Sequence, residues 1–501
     1  VRLAALFQAA GVEPRGDWTD AAVSGFAIDH RKVAPGTVFG AFRGERFNAE
    51  DVIPEAIAAG AIAVVAAPHA RVEGAAHVAS EQPRRTFAQL AARFFAPFPE
   101  TLVAVTGTNG KTSCVEMTRQ IWRICGHRAA SIGTLGVTTP DESVSTGLTT
   151  PDIVTFLANL AGLAREGVTH VAYEASSHGL AQYRSEGPPV AASAFTNFSR
   201  DHLDYHGTME AYFEAKMRLF AEVAPPGSPA VIHDDGHDAV WIPQAIERAR
   251  ACGLDVRTVG EKGDFLTLVR REPTQLGQFL MVRHADTDWK FELPLIGAYQ
   301  AANALVAAGL ALSTGLAPID ALGALARLQP VRGRLERAAI AAVGAPVYVD
   351  YAHTPDALEA AIAALRDHVA GGRLTVVFGA GGDRDPGKRA AMGEVAARGA
   401  ERVIVTDDNP RGEDPGAIRA AILEGARAAG SAADIVEVAG RREAIAEAIA
   451  GAGEHDIILV AGKGHEQGQI IGSGEAMRVL PFDDVEVARE CAAERNRDTG
   501  R

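Results

Sequence analysis

The chain has 501 residues, a formal net charge of −14, and 47% hydrophobic residues with only 6% aromatics. That length exceeds a single compact core and predicts three domains. The acidic balance argues against broad nucleic-acid binding, which wants a basic footprint. The four cysteines, Cys114, Cys125, Cys252 and Cys491, show no metal-type or redox-type spacing, so a cytoplasmic, reducing setting is expected. The longest apolar run, residues 56–68, is too short and too rich in Ala and Gly to span a bilayer. No signal pattern opens the chain, and no membrane insertion is expected.

The first segment, to about residue 99, alternates β-type runs at 37–42 and 61–66 with Ala-rich helical stretches. Residues 95–100, Phe-Ala-Pro-Phe-Pro-Glu, read as a linker, because the prolines break both helix and strand. The next run, residues 103–113, carries the most information. An apolar β-type run meets a glycine turn ending in Lys111-Thr112, and a helical pattern follows over 113–125. Backbone N–H groups in such a turn cradle phosphate oxygens, the lysine reaches the β/γ-phosphates, and the Thr hydroxyl can ligate Mg²⁺. The spacing departs from the usual G-x-x-x-x-G-K-[ST], because Val105 stands where the first Gly belongs and the turn is G-x-x-G-K-T. Strand, turn and helix nevertheless fall in the order that ATP handling requires.

Alternation of strand and helix continues to about residue 196. The stretch 265–295 is β-rich and reads as an antiparallel insertion or edge, 297–315 as a helix, and 330–334 as a hinge. Boundaries of 1–98, 99–332 and 333–501 follow from these shifts. In the last segment four apolar runs, 347–349, 374–378, 403–406 and 457–461, each end in a polar loop and are separated by helical stretches. Such a pattern predicts a parallel sheet covered on both faces, with all four loops along its carboxyl rim.

Lys216 falls on an apolar helical stripe with Met209, Tyr212, Phe213 and Phe220. Spacing alone favours a lysine whose stem snorkels to solvent. The alternative is a desolvated amine of lowered pKa, able to take up CO₂ as a carbamate with oxygen donors suited to Mg²⁺. Glu174 follows an apolar run and His202 lies in a polar loop; each alone reads more often as a hydrogen-bonded structural group than as a ligand. Arg384 and Arg411, just past strand ends, are candidate carboxylate clamps, since a guanidinium pairs bidentately with a carboxylate. His353, His465 and Glu466 share that placement.

Taken in order, residues 103–113, 173–178, 197–206, Lys216, 333–336 and 350–355 resemble the Mur ligases of bacterial cell-wall synthesis. The loops 381–385 and 408–411 resemble those of the members that add meso-2,6-diaminopimelate. The resemblance implies an α/β fold of three domains: a smaller N-terminal UDP-substrate domain, a central P-loop ATPase domain with a mostly parallel sheet, and a C-terminal Rossmann-like amino-acid domain. It implies an ATP- and Mg²⁺-dependent, amide-forming ligase of peptidoglycan synthesis working through an acyl phosphate.

The same resemblance implies roles for individual residues. Gly107, Thr108, Asn109, Gly110, Lys111, Thr112 and Ser113 would bind ATP phosphates. Thr112, Glu174, His202 and carbamoylated Lys216 would organise Mg²⁺, and Lys111 would join the last three in catalysis. Asn303, Arg334 and Asp350 would contact the nucleotide. Ile28, His30, Thr149, Thr150, Ser176, Gln182 and Arg184 would hold the UDP-N-acetylmuramoyl dipeptide. Arg384, Asp408, Asn409, Pro410, Arg411, Gly462 and Glu466 would bind diaminopimelate. A monomer is expected. Three departures fall on the UDP side: His30 for a common Ser, Leu148 for an Asn, and Asn48-Ala49 for an Asp-Gly. Alternatives are the lysine-adding ligase, which Arg411 opposes, a folylpolyglutamate-synthase-like ligase, and a nucleotide switch without ligation.

Overall fold

The computed structural model describes residues 1–44, 47–139, 143–144, 149–274, 276–369 and 371–498. The chain forms two compact units, Val1–Thr267 with Leu305–Ala321, and Leu268–Ala304 with Leu322–Arg501.

The first unit holds two sheets. Four short parallel strands, Gly25–Ala27, Thr37–Gly40, Ala61–Ala66 and Ala76–Ala79, make the N-terminal one, against which the helix Pro83–Phe95 packs through Phe87 and Leu90. The larger sheet runs in the order Asp255–Gly260, Pro229–His233, Ala192–Phe195, Thr101–Thr106, His170–Glu174 and Ala129–Gly133, all parallel. Gly136–Thr138 and Ser143–Val144 add antiparallel pairs at its edge. Its central strands are buried along their whole length, which is why they read as continuous apolar runs rather than alternating ones.

The second unit contains the antiparallel hairpin Gly277–His284 and Thr287–Leu293, as the β-rich stretch predicts. Its main sheet runs Glu336–Ile340, Pro346–Asp350, Ile457–Ala461, Leu374–Phe378, Arg402–Val405 and Asp434–Glu437, parallel after the first pair. Alternate residues serve opposite cores. Val376, Phe378 and Leu459 pack with Leu358, Met392 and Ile422, whereas Val377, Ile458 and Val460 pack with Ile445, Val485 and Ala488. With both faces covered, the loops after Asp350, Phe378, Val405 and Ala461 line one carboxyl rim, the usual place for a ligand in such sheets. No helix among the described residues is long and apolar enough to cross a membrane.

Candidate active site

The strand Thr101–Thr106 delivers the chain into a turn whose Gly107 (φ 137°) and Gly110 (φ 85°) take positive φ, which side-chain-bearing residues rarely adopt. A side chain at Gly107 would also strike Thr196 Oγ1. The helix Lys111–Ile124 starts directly after Gly110. The end of a neighbouring strand braces the turn. Thr108 N donates to Asn197 O (2.9 Å), Asn109 N to Asn197 Oδ1 (2.9 Å), and Thr196 Oγ1 to Asn109 O (2.6 Å). Lys111 Nζ folds back on the turn, donating to Gly107 O at 3.0 Å and Thr108 O at 2.7 Å. Thr112 and Ser113 are buried at the helix start.

Glu174 ends the adjacent strand, in register with Val105. It is 2% exposed, and its carboxylate accepts the N–H (2.7 Å) and hydroxyl (3.3 Å) of Thr134. Lys216 lies in the helix Met209–Arg218, capped by Thr208, which accepts Ala211 N at 3.1 Å. The snorkelling expectation is wrong. Lys216 is 1% exposed; its ammonium site donates to Gly107 O at 2.6 Å and sits 4.4 Å over the Tyr212 ring. Burial first, and then repulsion from Lys111, drive its pKa well below that of an ordinary lysine. The helix packs onto the phosphate turn, so the stem has no outward path. His202, also at positive φ (50°), is half-exposed, with Nε2 3.3 Å from Asp201 Oδ2 and its ring 4.8 Å from His178.

Among the described residues no group of three His, Cys, Asp or Glu could cage a metal. The Thr112 hydroxyl and the buried Glu174 carboxylate are oxygen donors of the kind that suits Mg²⁺, which prefers one or two protein oxygens completed by phosphates and water. The donor set therefore fits that ion, with His202 the softer member.

The residues expected at the UDP-dipeptide form a connected cluster. Thr150 Oγ1 lies 2.9 Å from both Glu174 O and Ser176 Oγ, and Thr149 Oγ1 lies 3.0 Å from Thr134 Oγ1. Arg184 donates to Thr150 O (2.9 Å) and Gln182 Oε1 (2.7 Å), and Gln182 Nε2 to Tyr205 OH (3.1 Å). Ile28 and His30 lie just beyond the N-terminal strand Gly25–Ala27, where Asp29 caps the turn His30–Lys32. Asn48 and Ala49 begin a turn of their own, Asn48 accepting Glu50 N. Leu148 lies outside the described residues.

In the second unit Asn303 Nδ2 donates to Gln300 Oε1 (3.3 Å), and Gln300 Nε2 to Arg334 O (2.9 Å). Arg334 lies 5.1 Å over the Tyr351 ring. Asp350 is buried, which raises its pKa, but it accepts Leu335 N (2.7 Å) and Ala352 N (2.9 Å). Gly462 N donates to Asp350 O at 3.1 Å, so Asp350 adjoins the loop of Gly462 and Glu466. On that rim Asn409 Nδ2 donates to Glu466 Oε2 at 2.9 Å. Arg411, at φ 50°, donates its Nη1 to Gly382 O at 2.9 Å, and the following N–H of Gly412 reaches Asp383 Oδ2 at 3.0 Å. Pro410 is buried between them, and Arg384 is exposed on the same loop cluster, 3.5 Å from Asp383 O.

Two buried cations at this rim had no expected role. Lys463 is fully buried beside Asp408, and Arg441 forms a fully buried pair with Asp484 (2.6 Å) while donating to Ala461 O (2.9 Å). Lys463 lies inside the flagged Gly-Lys-Gly-His-Glu loop. A cation between two glycines at a strand end is the signal that could have found it; Arg441 carries none.

A glycine turn at the carboxyl end of a central parallel strand, with a buried amine against it and a buried carboxylate ending the next strand, defines a P-loop nucleotide enzyme. Residues 105–311 match the Mur ligase middle domain, and residues 333–464 the Mur ligase, glutamate ligase domain. The chain belongs to the Mur ligase family of ATP-dependent, amide-bond-forming enzymes. It is 58% identical to the UDP-N-acetylmuramoyl-L-alanyl-D-glutamate--2,6-diaminopimelate ligase of Zymomonas mobilis, over 94% of this chain and 95% of that one. It is 48% identical to the protein of the same name from Agrobacterium fabrum, over 94% of each. A solved structure of a ligase with that name aligns with a TM-score of 0.74 at 32% identity, over 98% of this chain and 99% of that one.

Proposed function

We propose that this chain joins the γ-carboxyl of D-glutamate in UDP-N-acetylmuramoyl-L-alanyl-D-glutamate to an amine of meso-2,6-diaminopimelate, at the expense of ATP, in three functional domains (1–98, 99–332 and 333–501). A carboxylate is a poor electrophile, so it is first phosphorylated by ATP to an acyl phosphate; the amine then attacks its acyl carbon, forming the C–N bond, losing a proton and expelling inorganic phosphate. Two anions meet in the first step. Lys111 and the N–H groups of Gly107 to Ser113 offset their repulsion, Lys216 is held against the same turn, and Glu174 ends the neighbouring strand. A neutral Lys216 amine adds CO₂ and loses one proton, leaving a carbamate. Thr112, Glu174, His202 and that carbamate would hold Mg²⁺, which would supply charge stabilisation at the γ-phosphate.

Thr149, Thr150, Ser176, Gln182 and Arg184 orient the dipeptide end of the UDP substrate, with Ile28 and His30 toward the uridine. Asn303, Arg334 and Asp350 hold the nucleotide. Arg384, Asp408, Asn409, Arg411, Gly462 and Glu466 receive diaminopimelate, whose second carboxylate meets the guanidinium of Arg411. The observation that carries this reading is the joining of two rim loops through Asn409 and Glu466 (2.9 Å), beside a guanidinium steadied by Gly382.

A coupled phosphate-release assay tests it. Release is expected only when ATP, the UDP-muramoyl dipeptide and diaminopimelate are all present. Equal turnover with L-lysine would favour the lysine-adding ligase, turnover with folate and glutamate the folylpolyglutamate reading, and slow hydrolysis without either substrate the switch.

A further inference from the structure

We infer that Lys463 is a positioning residue of the amino-acid site: one buried ammonium that fixes Asp408, Asn409 and Glu466 for their substrate. The inference rests on the reading of that site given above. Lys463 follows the strand Ile457–Ala461 and is 0% exposed. An ammonium has three N–H donors and no acceptor. Here Nζ donates to Asn409 Oδ1 (2.8 Å) and Gly468 O (2.8 Å) and pairs with Asp408 Oδ1 (3.1 Å). Two of the protons are held in hydrogen bonds, and the charge is answered by Asp408 across an ion pair. Glu466 Oε2 lies 3.7 Å away and shares the charge.

The consequence falls on Asn409. Its Oδ1 accepts from Lys463 and from Ile470 N (2.9 Å), two donors that admit only the oxygen on that side. Its Nδ2 is thereby turned toward Glu466 Oε2. The ammonium thus dictates the amide's orientation, and the amide steadies the carboxylate. Arg441 adds to the positive field at Asp408 and Glu466 but does not replace it, because its hydrogen bonds go to Asp484, Ala461 O and Asp407 O. Without Lys463, Asp408 and Glu466 would lose the ammonium paired with both, and the amide's oxygen would be held by Ile470 N alone.

The test uses the full-length enzyme and two substitutions, Lys463→Gln, which removes the charge but keeps some polarity, and Lys463→Arg, which keeps charge but cannot place one nitrogen among three oxygens. Expected is a rise in KM for diaminopimelate of roughly ten-fold or more, with KM for ATP and for the UDP-muramoyl dipeptide unchanged within about two-fold. A merely structural lysine would lower the melting temperature and move all three KM values together, or none; either result in folded protein overturns the inference. Arg411→Ala serves as the control for the site itself. If it too leaves KM for diaminopimelate unchanged, the site reading fails; if it raises KM while both Lys463 variants do not, only the inference fails.

Discussion

Lys216 Nζ and the carbonyl oxygen of Gly107 lie 2.6 Å apart, although 109 residues separate them in the chain. The contact ties the helix Met209–Arg218 to the phosphate turn and leaves the amine without a buried acid to pair with. Lys216→Ala is expected to lower ligation at least ~100-fold, with partial recovery on adding a short carboxylate such as acetate. Full activity without the additive would dispose of the carbamate. Labelled bicarbonate should mark the wild-type protein at this residue and leave the variant unlabelled.

The same amine has a stability consequence. Its folded pKa is depressed below the usual 10.5. Below pH 10.5 the unfolded chain therefore binds a proton that the folded amine declines, and stability falls as pH drops from there. In CO₂-free buffer near neutrality, Lys216→Met should raise the melting temperature while abolishing ligation. A lower melting temperature would show that the bond to Gly107 outweighs desolvation.

Arg411→Ala should weaken use of diaminopimelate by about 2 kcal/mol, roughly thirty-fold in kcat/KM, the scale of a lost charge-assisted hydrogen bond. Steady-state kinetics with diaminopimelate as the varied substrate reads it. Unchanged kinetics would remove Arg411 from the site.

His170 is held at a pKa of about 4, chiefly by burial and then by His127, whose ring lies 4.2 Å away. Its unfolded value is near 6.5, so the neutral ring contributes stability that is complete above pH 6.5 and lost as pH falls toward 4. The loss amounts to at most about 3 kcal/mol. His170→Phe should flatten this acid limb in urea titrations between pH 7 and 4.5; an unchanged slope would assign the limb elsewhere.

Removing one member of the Arg441–Asp484 pair leaves a buried charge alone. Arg441→Met should cost about 3–5 kcal/mol, and the double change Arg441→Met with Asp484→Leu clearly less. Denaturant melts of the two variants decide it, and equal losses would show that the bonds from Arg441 to Ala461 and Asp407 matter more than its ion pair.

Local pattern carried much of the fold. The glycine turn, the four apolar runs of the last segment, the β-rich stretch and the helix through Lys216 are each written in contiguous residues, and each is found in place. What local pattern misses is where a long side chain goes. The stripe put Lys216 on the apolar side of its helix but could not say that Gly107 O and Tyr212 would receive the amine, because that depends on distant packing. Lys463 meets Asn409 from 54 residues away, and Arg441 meets Asp484 from 43. No periodicity reports partners at such separations.

Arg411 holds a backbone conformation, φ 50°, that glycine would adopt at no steric cost and an L side chain adopts at roughly 1–2 kcal/mol. Selection for thermal robustness alone would drift this position toward glycine and delete the guanidinium. On the function proposed above, libraries screened for heat tolerance should therefore hold residue 411 fixed, or they will enrich sturdy proteins blind to the second carboxylate of their amino acid.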